Sequence, residues 1–184
     1  MKRSDIAQLL LAASDISPWR EFVIIGSLSV LGAVEEPPED MVASIDVDLY
    51  PLDDPGGAGM LGRALGLGSP FEAQHGIYAD PVSPLLATLP DDWEARLIPL
   101  DFGQGVIGYF LEPHDAAISK YARGEPRDRR WIRAGLRSRL LNIDRLARRM
   151  FDTVMETDER SRSRQALAED RHWLGGIHPD ALDD

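Results

Sequence analysis

Two aspartates, Asp46 and Asp48, stand in an apolar and partly β-branched run from Ser44 to Tyr50. Such a run predicts a β-strand, on which side chains two residues apart project from the same face. Two carboxylates held that close repel each other unless a cation lies between them. Mg²⁺ is the natural candidate, because it takes carboxylate oxygens and keeps its other positions for water or substrate phosphates. The alternative is a solvated edge strand that carries two unrelated acidic residues.

The dipeptide Gly26-Ser27 forms a second candidate site. It follows residues 21–25, an apolar run that predicts a buried strand, and residues 28–34 continue with helical spacing. A strand that ends in Gly-Ser at the start of a helix presents backbone N–H groups and a serine hydroxyl to an anion. Ser27 is therefore a candidate phosphate ligand. The alternative is a turn in which both residues serve packing alone.

Composition sets outer limits on the class of protein. A chain of 184 residues with 43% apolar content suits one domain, or one domain with a small appendage. The absence of cysteine excludes both a disulfide framework and a thiolate zinc site. The apolar run at residues 6–13 is too short to span a bilayer and lacks a cleavage-site pattern. We expect a soluble cytoplasmic protein without a membrane partner.

The net charge of −11 is distributed unevenly along the chain. Residues 120–164 hold 14 basic and 7 acidic residues, whereas the rest of the chain holds 6 basic and 24 acidic residues. A basic segment on an acidic body favours binding of phosphate, nucleic acid or an acidic partner. The alternative is a set of solvated helix faces with ion pairs between residues four apart.

The order of predicted elements indicates an α+β fold. Helices are predicted at residues 4–14, 28–34 and 59–66, and strands at residues 21–25, 44–50, 76–79, 94–100 and 106–111. Further helices are predicted at residues 114–122, 128–140, 142–155 and 158–173. Because strands and helices alternate first and helices follow alone, we expect a mixed core at residues 1–113. We expect the helical C-terminal part, residues 114–184, to pack on this core in a single compact unit.

Taken together, the two candidate sites resemble the signature of a known family. Gly26-Ser27 after one strand, with Asp46 and Asp48 on the next, resembles the minimal nucleotidyltransferases of the DNA polymerase β superfamily. The run from Leu111 to Arg130 resembles the Asp-Leu-x-x-x-Lys…Arg…Arg-Asp block of the AbiEii-type branch of that superfamily. This branch includes the toxin halves of some bacterial toxin–antitoxin pairs. Both blocks occur in the family's order.

The resemblance implies a small mixed nucleotidyltransferase sheet flanked by helices, and an enzyme that transfers NMP from NTP with the help of Mg²⁺. Asp46 and Asp48 would be the metal ligands in such an enzyme. Gly26 and Ser27 would bind the nucleotide through its β- and γ-phosphates. These assignments agree with what the residue types allow, since phosphoryl transfer needs a cation and donors that face the phosphates.

The resemblance also assigns roles outside this core. Lys120 would contact the nucleotide and neutralise charge near the triphosphate, and Asp128 would orient Lys120 or assist the nucleophile. The alternative is an exposed pair within a helical hairpin. Polymerase-β-type enzymes usually carry a third carboxylate on a strand, and Asp101 and Glu112, both at strand ends, are the candidates here.

The acceptor implied by the resemblance is an RNA end, such as that of tRNA, or a protein hydroxyl. Four arginines of the basic segment are candidates for binding a polyanionic acceptor: Arg127, Arg129, Arg130 and Arg133. A cognate antitoxin is a further expected partner. The alternative function is that of a catalytically degenerate member of the same fold, which acts as a binding or antitoxin-like subunit.

Overall fold

The computed structural model describes residues 1–177 and has the α+β fold that the sequence predicts, with a helical C-terminal part. The chain divides into two compact units. The first unit comprises Met1–Ala87 and Glu94–Glu112, and the second comprises Thr88–Trp93 and the chain from Pro113 onward. The last residues of the predicted helical part, 178–184, lie outside the described residues.

The first unit contains the sheet. Its strands are β1 (Glu21–Ile24), β2 (Asp46–Pro51), β3 (Tyr78–Pro81), β4 (Ile98–Asp101) and β5 (Ile107–Phe110). Its helices are α1 (Arg3–Ile16), α2 (Val30–Ala33), α3 (Ala58–Leu65) and α4 (Pro70–His75). The strand order is β3-β2-β1-β5-β4, with β1–β5 and β2–β3 parallel and β1–β2 and β4–β5 antiparallel. The parallel pair β2–β3 requires a crossover connection, which α3 and α4 supply.

One face of the sheet is buried in the core of this unit, and strand alternation explains which residues reach it. On β2, Val47 and Leu49 are buried, whereas Asp46 and Asp48 are only half-buried. The buried residues pack with apolar side chains of the neighbouring strands and of α1 and α3, among them Ile6, Leu9, Phe22, Ile24, Leu61 and Phe110. Because successive strand side chains point to opposite faces, both aspartates lie on the other face of the sheet.

The second unit is helical where the structure describes it, apart from the segment at residues 88–93. Its helices are α5 (Pro113–Arg123), α6 (Pro126–Arg137), α7 (Ile143–Asp152) and α8 (Thr157–Ile177), and α5 contacts the other three. Trp131, Ile118 and Leu146 are among its fully buried apolar side chains. Within residues 1–177, none of the helices combines the length and the apolar character that a bilayer crossing requires.

Local predictions differ from the structure at three places. The strand predicted at residues 94–100 begins only at Ile98, after a 3₁₀ turn at Trp93–Arg96. The helix predicted at residues 28–34 is a 3₁₀ turn at Ser27–Ser29 followed by the four-residue α2. Helix α4 was not predicted, because six residues are too few to show a helical period. Its end signals are nevertheless present in the sequence. Ser69 caps it by accepting a hydrogen bond from the Glu72 backbone N–H, and Gly76 ends it in the left-handed conformation.

Candidate active site

Three carboxylates meet on the half-buried face of the sheet. The parallel register of β2 and β3 pairs Asp46 with Tyr78 and Asp48 with Asp80. Side chains of paired residues project from the same face, so Asp80 joins the two aspartates of β2. Each of the three offers a carboxylate oxygen, and these oxygens lie within 4.8 Å of one another. We call Asp46, Asp48 and Asp80 the carboxylate triad.

The triad creates a strongly negative local field. The pKa of Asp80 is raised, first by burial and second by the charge of Asp46. The pKa of Tyr78 is also raised, by burial and then by the charges of Asp46, Asp80, Glu72 and Asp48. Three half-buried carboxylates whose negative charges lie this close together fit a divalent cation, which removes the repulsion on binding. Hard oxygen donors with room left for water or phosphate are the ligands that Mg²⁺ prefers.

Hydrogen bonds within the first unit hold two members of the triad in place. The Ser44 hydroxyl donates to Asp46 Oδ1. The carbonyl oxygen of Asp48 accepts from the Ile25 backbone N–H at 3.0 Å, which ties β2 to the end of β1. The third member, Asp80, is held by the pairing of β3 with β2. The triad therefore sits on strands rather than on loops, which favours a fixed geometry.

Gly26 lies directly against the triad. Its φ is +71°, and a Cβ added there would stand 1.8 Å from Asp48 Oδ2 and 2.7 Å from Asp48 Cγ. Only glycine allows both this backbone conformation and this close approach. The Gly26 carbonyl accepts a hydrogen bond from the Ser29 hydroxyl at 2.9 Å, which fixes the turn that begins at Ser27. The structure thus brings the predicted Gly-Ser site and the predicted aspartate pair together.

The third carboxylate of the triad is a residue that the sequence analysis missed. Asp101 ends β4, at the opposite edge of the sheet from β3, and its Oδ1 accepts from the Gly103 backbone N–H at 2.8 Å. Glu112 follows β5, and neither residue belongs to the triad. The signal for Asp80 was present, because Tyr78-Ala79-Asp80 repeats the polar–apolar–polar alternation of Asp46-Val47-Asp48.

In the second unit, Lys120 and Asp128 form a buried ion pair. Their side chains are 4% and 1% exposed, and Lys120 Nζ lies 3.5 Å from Asp128 Oδ1. The ammonium group is also 4.9 Å from the ring centroid of Trp131. Arg123 donates to both oxygens of Asp128, at 2.8 and 2.5 Å. The alternative of an exposed pair is therefore wrong, whereas the predicted roles of Lys120 and Asp128 in nucleotide transfer stay predictions.

This pair predicts a pH-dependent contribution to stability. Burial acts to raise the pKa of Asp128, but the hydrogen bond from Arg123 and the charges of Lys120 and Arg123 outweigh it, so that the pKa is lowered. A carboxylate with a lowered pKa stabilises the fold above its unfolded pKa of about 4, and that stability is lost as pH falls through the folded pKa. We expect Asp128→Asn to lower the free energy of unfolding by about 3 kcal/mol at pH 7.

The measurement is denaturant unfolding of both proteins at pH 7 and at pH 3, where the difference between them should shrink. The matched control is Asp144→Asn, because Asp144 pairs with Arg171 at 2.5 Å while both side chains are more than a third exposed. Exposed pairs contribute below about 1 kcal/mol. An equal loss for Asp128→Asn at both pH values would contradict the assignment.

Two of the predicted acceptor-binding arginines are engaged within the second unit. Arg129 Nε lies 3.2 Å and Arg133 Nε lies 2.8 Å from Oδ1 of Asp170, a fully buried carboxylate on α8. Asp170 Oδ2 also accepts from the Tyr121 hydroxyl at 3.1 Å. Since removal of either arginine would disturb a buried polar group, Arg129 and Arg133 have a structural role in joining α6 to α8.

The other two predicted arginines face solvent. Arg127 is 64% exposed and pairs with the exposed side chain of Glu125 at 2.8 Å. Arg130 is exposed on α6. An exposed pair such as Arg127–Glu125 is weak, so the Arg127 guanidinium group is accessible to a polyanion. The exposed side chain of Arg130 is accessible as well. Arg127 and Arg130 are therefore the better candidates for acceptor binding.

The mixed sheet and the carboxylate triad define an α+β protein with a candidate divalent-cation site next to a glycine-serine turn. Residues 4–174 match the family described as a nucleotidyltransferase of unknown function (DUF6036). The chain therefore belongs to this nucleotidyltransferase family. Neither the curated proteins nor the solved structures gave a match. The family match confirms the nucleotidyltransferase resemblance at the level of the family and does not specify the AbiEii-type branch.

Proposed function

We propose that the protein transfers a nucleoside monophosphate from an NTP to a hydroxyl acceptor, with Mg²⁺ held by Asp46, Asp48 and Asp80. The observation that carries the proposal is the cluster of three carboxylate oxygens within 4.8 Å, in a chain of a nucleotidyltransferase family. In this reaction the acceptor oxygen bonds to the α-phosphorus. The bond from that phosphorus to the bridging oxygen breaks and pyrophosphate leaves, while the proton of the acceptor hydroxyl passes to solvent.

The chain's own residues have separate tasks in this proposal. When bound, the cation neutralises charge on the triphosphate and lowers the pKa of the attacking hydroxyl. The triad orients its oxygens toward one point, because β2 and β3 fix the three aspartates in register. The Gly26-Ser27 turn offers its backbone N–H groups and the Ser27 hydroxyl to the phosphates. The hydrogen-bond donors themselves would make these contacts, because α2 has only four residues and its helix dipole adds little.

The direct test is label transfer from each of the four α-³²P-NTPs, with bulk tRNA and with cell extract as acceptors. We expect labelled acceptor with Mg²⁺ and none when EDTA is present. A catalytically degenerate binding subunit, the alternative function, would retain magnesium-dependent NTP binding without transfer to any acceptor. That outcome would overturn the proposal.

We further propose an RNA end, such as that of tRNA, as the acceptor. The support is the excess of basic residues at 120–164 and the exposure of Arg127 and Arg130. The resemblance of residues 111–130 to the AbiEii-type branch adds the toxin half of a toxin–antitoxin pair as the setting, with a cognate antitoxin as partner. A protein hydroxyl is the other acceptor that label transfer can reveal.

The RNA proposal predicts that tRNA binds to the exposed arginines of α6 and that this binding depends on salt concentration. Each neutralised phosphate releases condensed counterions, so tRNA affinity should fall steeply with salt. Arg130→Glu should weaken tRNA binding and reduce the salt slope by about one, while NTP affinity stays unchanged. Filter binding of labelled tRNA at several salt concentrations measures the tRNA affinity and its salt slope. The control is Arg63→Glu, which makes the same charge change at an exposed position of α3. Equal binding by the two variants, or a flat salt response, would rule out this RNA role.

A further inference from the structure

Tyr78 is a neighbour of the triad to which the proposed function gives no role. It stands in parallel register with Asp46 and two residues before Asp80 on β3, so its side chain projects from the face that carries the triad. It is half-exposed, and β3 is an edge strand of the sheet. Tyr78 therefore lies beside the triad and is partly accessible to solvent.

The hydroxyl of Tyr78 is available as a hydrogen-bond donor. It lies close enough to all three carboxylates for their charges to act on it. Within residues 1–177, however, no group accepts a hydrogen bond from it. Side chains of a strand stand roughly perpendicular to the sheet, and a tyrosine is longer than an aspartate by an aromatic ring. A tyrosine hydroxyl on this face can therefore reach a group that binds beyond the carboxylates of the triad.

We propose that Tyr78 is a substrate-binding residue of this site, whose hydroxyl donates a hydrogen bond to a phosphate oxygen of the bound nucleotide. This inference rests on the proposed function, because the nucleotide supplies the acceptor that the protein does not. A phenol O–H is a good donor to an anionic oxygen, and the triphosphate is the part of the substrate that must face the triad.

The test is Tyr78→Phe, which removes only the hydroxyl. Titration calorimetry should measure binding of non-hydrolysable α,β-methylene NTPs with Mg²⁺, and separately binding of Mn²⁺ alone. We expect nucleotide affinity to fall about 10- to 100-fold, as for loss of a hydrogen bond to a charged group, with unchanged Mn²⁺ affinity. Since the hydroxyl has no partner in residues 1–177, the melting temperature should not change.

The matched control is Tyr109→Phe. Tyr109 is half-exposed on the same sheet face, on β5, but its hydroxyl donates to Glu21 Oε1 at 2.8 Å. This control should keep wild-type affinity for nucleotide and for Mn²⁺.

Two results would overturn the role of Tyr78. One is wild-type nucleotide affinity in Tyr78→Phe, even if Tyr78→Ala binds weakly, because the ring would then be the functional part. The other is a loss of Mn²⁺ affinity in Tyr78→Phe, which would assign the hydroxyl to the geometry of the triad. Failure of the wild-type protein to bind any of the four nucleotides would instead refute the proposed function itself.

Discussion

Asp48→Asn should abolish nucleotidyl transfer while the protein stays folded, and Asp46→Asn and Asp80→Asn should do the same. Each substitution removes one of three anionic ligands from a site where the cation supplies several kcal/mol of transition-state stabilisation. We expect turnover to fall by roughly a thousandfold or more, since about 1.4 kcal/mol corresponds to a factor of ten. The measurement is label transfer from α-³²P-NTP.

The melting temperature separates this effect from damage to the fold. Removing one of three mutually repelling carboxylates relieves repulsion in the metal-free protein, so melting without added metal should be unchanged or higher. Asp101→Asn is the matched control, because Asp101 is an exposed aspartate at the end of another strand of the same sheet. Near-normal turnover in any triad variant would refute the assignment of that residue.

Gly26→Ala should inactivate the protein through Asp48. The added methyl group would stand 1.8 Å from Asp48 Oδ2, so the carboxylate must move out of the triad or the turn must open. We expect turnover to fall at least about a hundredfold, as when a preorganised group of an active site is displaced. Stability should fall by about 1–3 kcal/mol, because alanine is strained at this backbone conformation. Label transfer and denaturant unfolding measure the two effects.

Gly105→Ala isolates the contribution of backbone strain. Gly105 also has a positive φ, +75°, but a Cβ added there meets no atom within 4 Å. This variant should lose stability and keep wild-type turnover. If Gly26→Ala and Gly105→Ala retained the same activity, the close contact between Gly26 and Asp48 would have no functional meaning.

The alternation of side chains along a single strand explains why the aspartate pair of the site could be predicted. Asp46-Val47-Asp48 lies within one strand, so the shared face of the two carboxylates follows from the sequence alone. Asp80 reaches that face only through the parallel register of β2 and β3, whose connection spans two helices. Register between strands that are distant in sequence depends on packing of the whole unit. The contact between Gly26 and Asp48 likewise arises between neighbouring strands.

The helical part shows a different limit of sequence reasoning. Counting charges identified a basic segment, but it could not reveal that Arg129 and Arg133 pair with Asp170, about forty residues further along the chain. Nor could it show that Lys120 and Asp128 are buried, because a lysine and an aspartate on consecutive helices are usually exposed. The four helices of this part were predicted from the sequence, with bounds that differ by one to four residues from those of the structure.

Binding of Mn²⁺ to the protein without nucleotide tests the central claim most directly. Calorimetry, or the loss of the free Mn²⁺ signal in electron paramagnetic resonance, gives the affinity without any assumption about the acceptor. The account predicts that the wild-type protein and Asp101→Asn bind Mn²⁺ alike, and that Asp80→Asn binds at least about tenfold more weakly, because one anionic ligand is lost. Equal Mn²⁺ affinity in the wild-type protein and Asp80→Asn would contradict a metal site built from Asp46, Asp48 and Asp80.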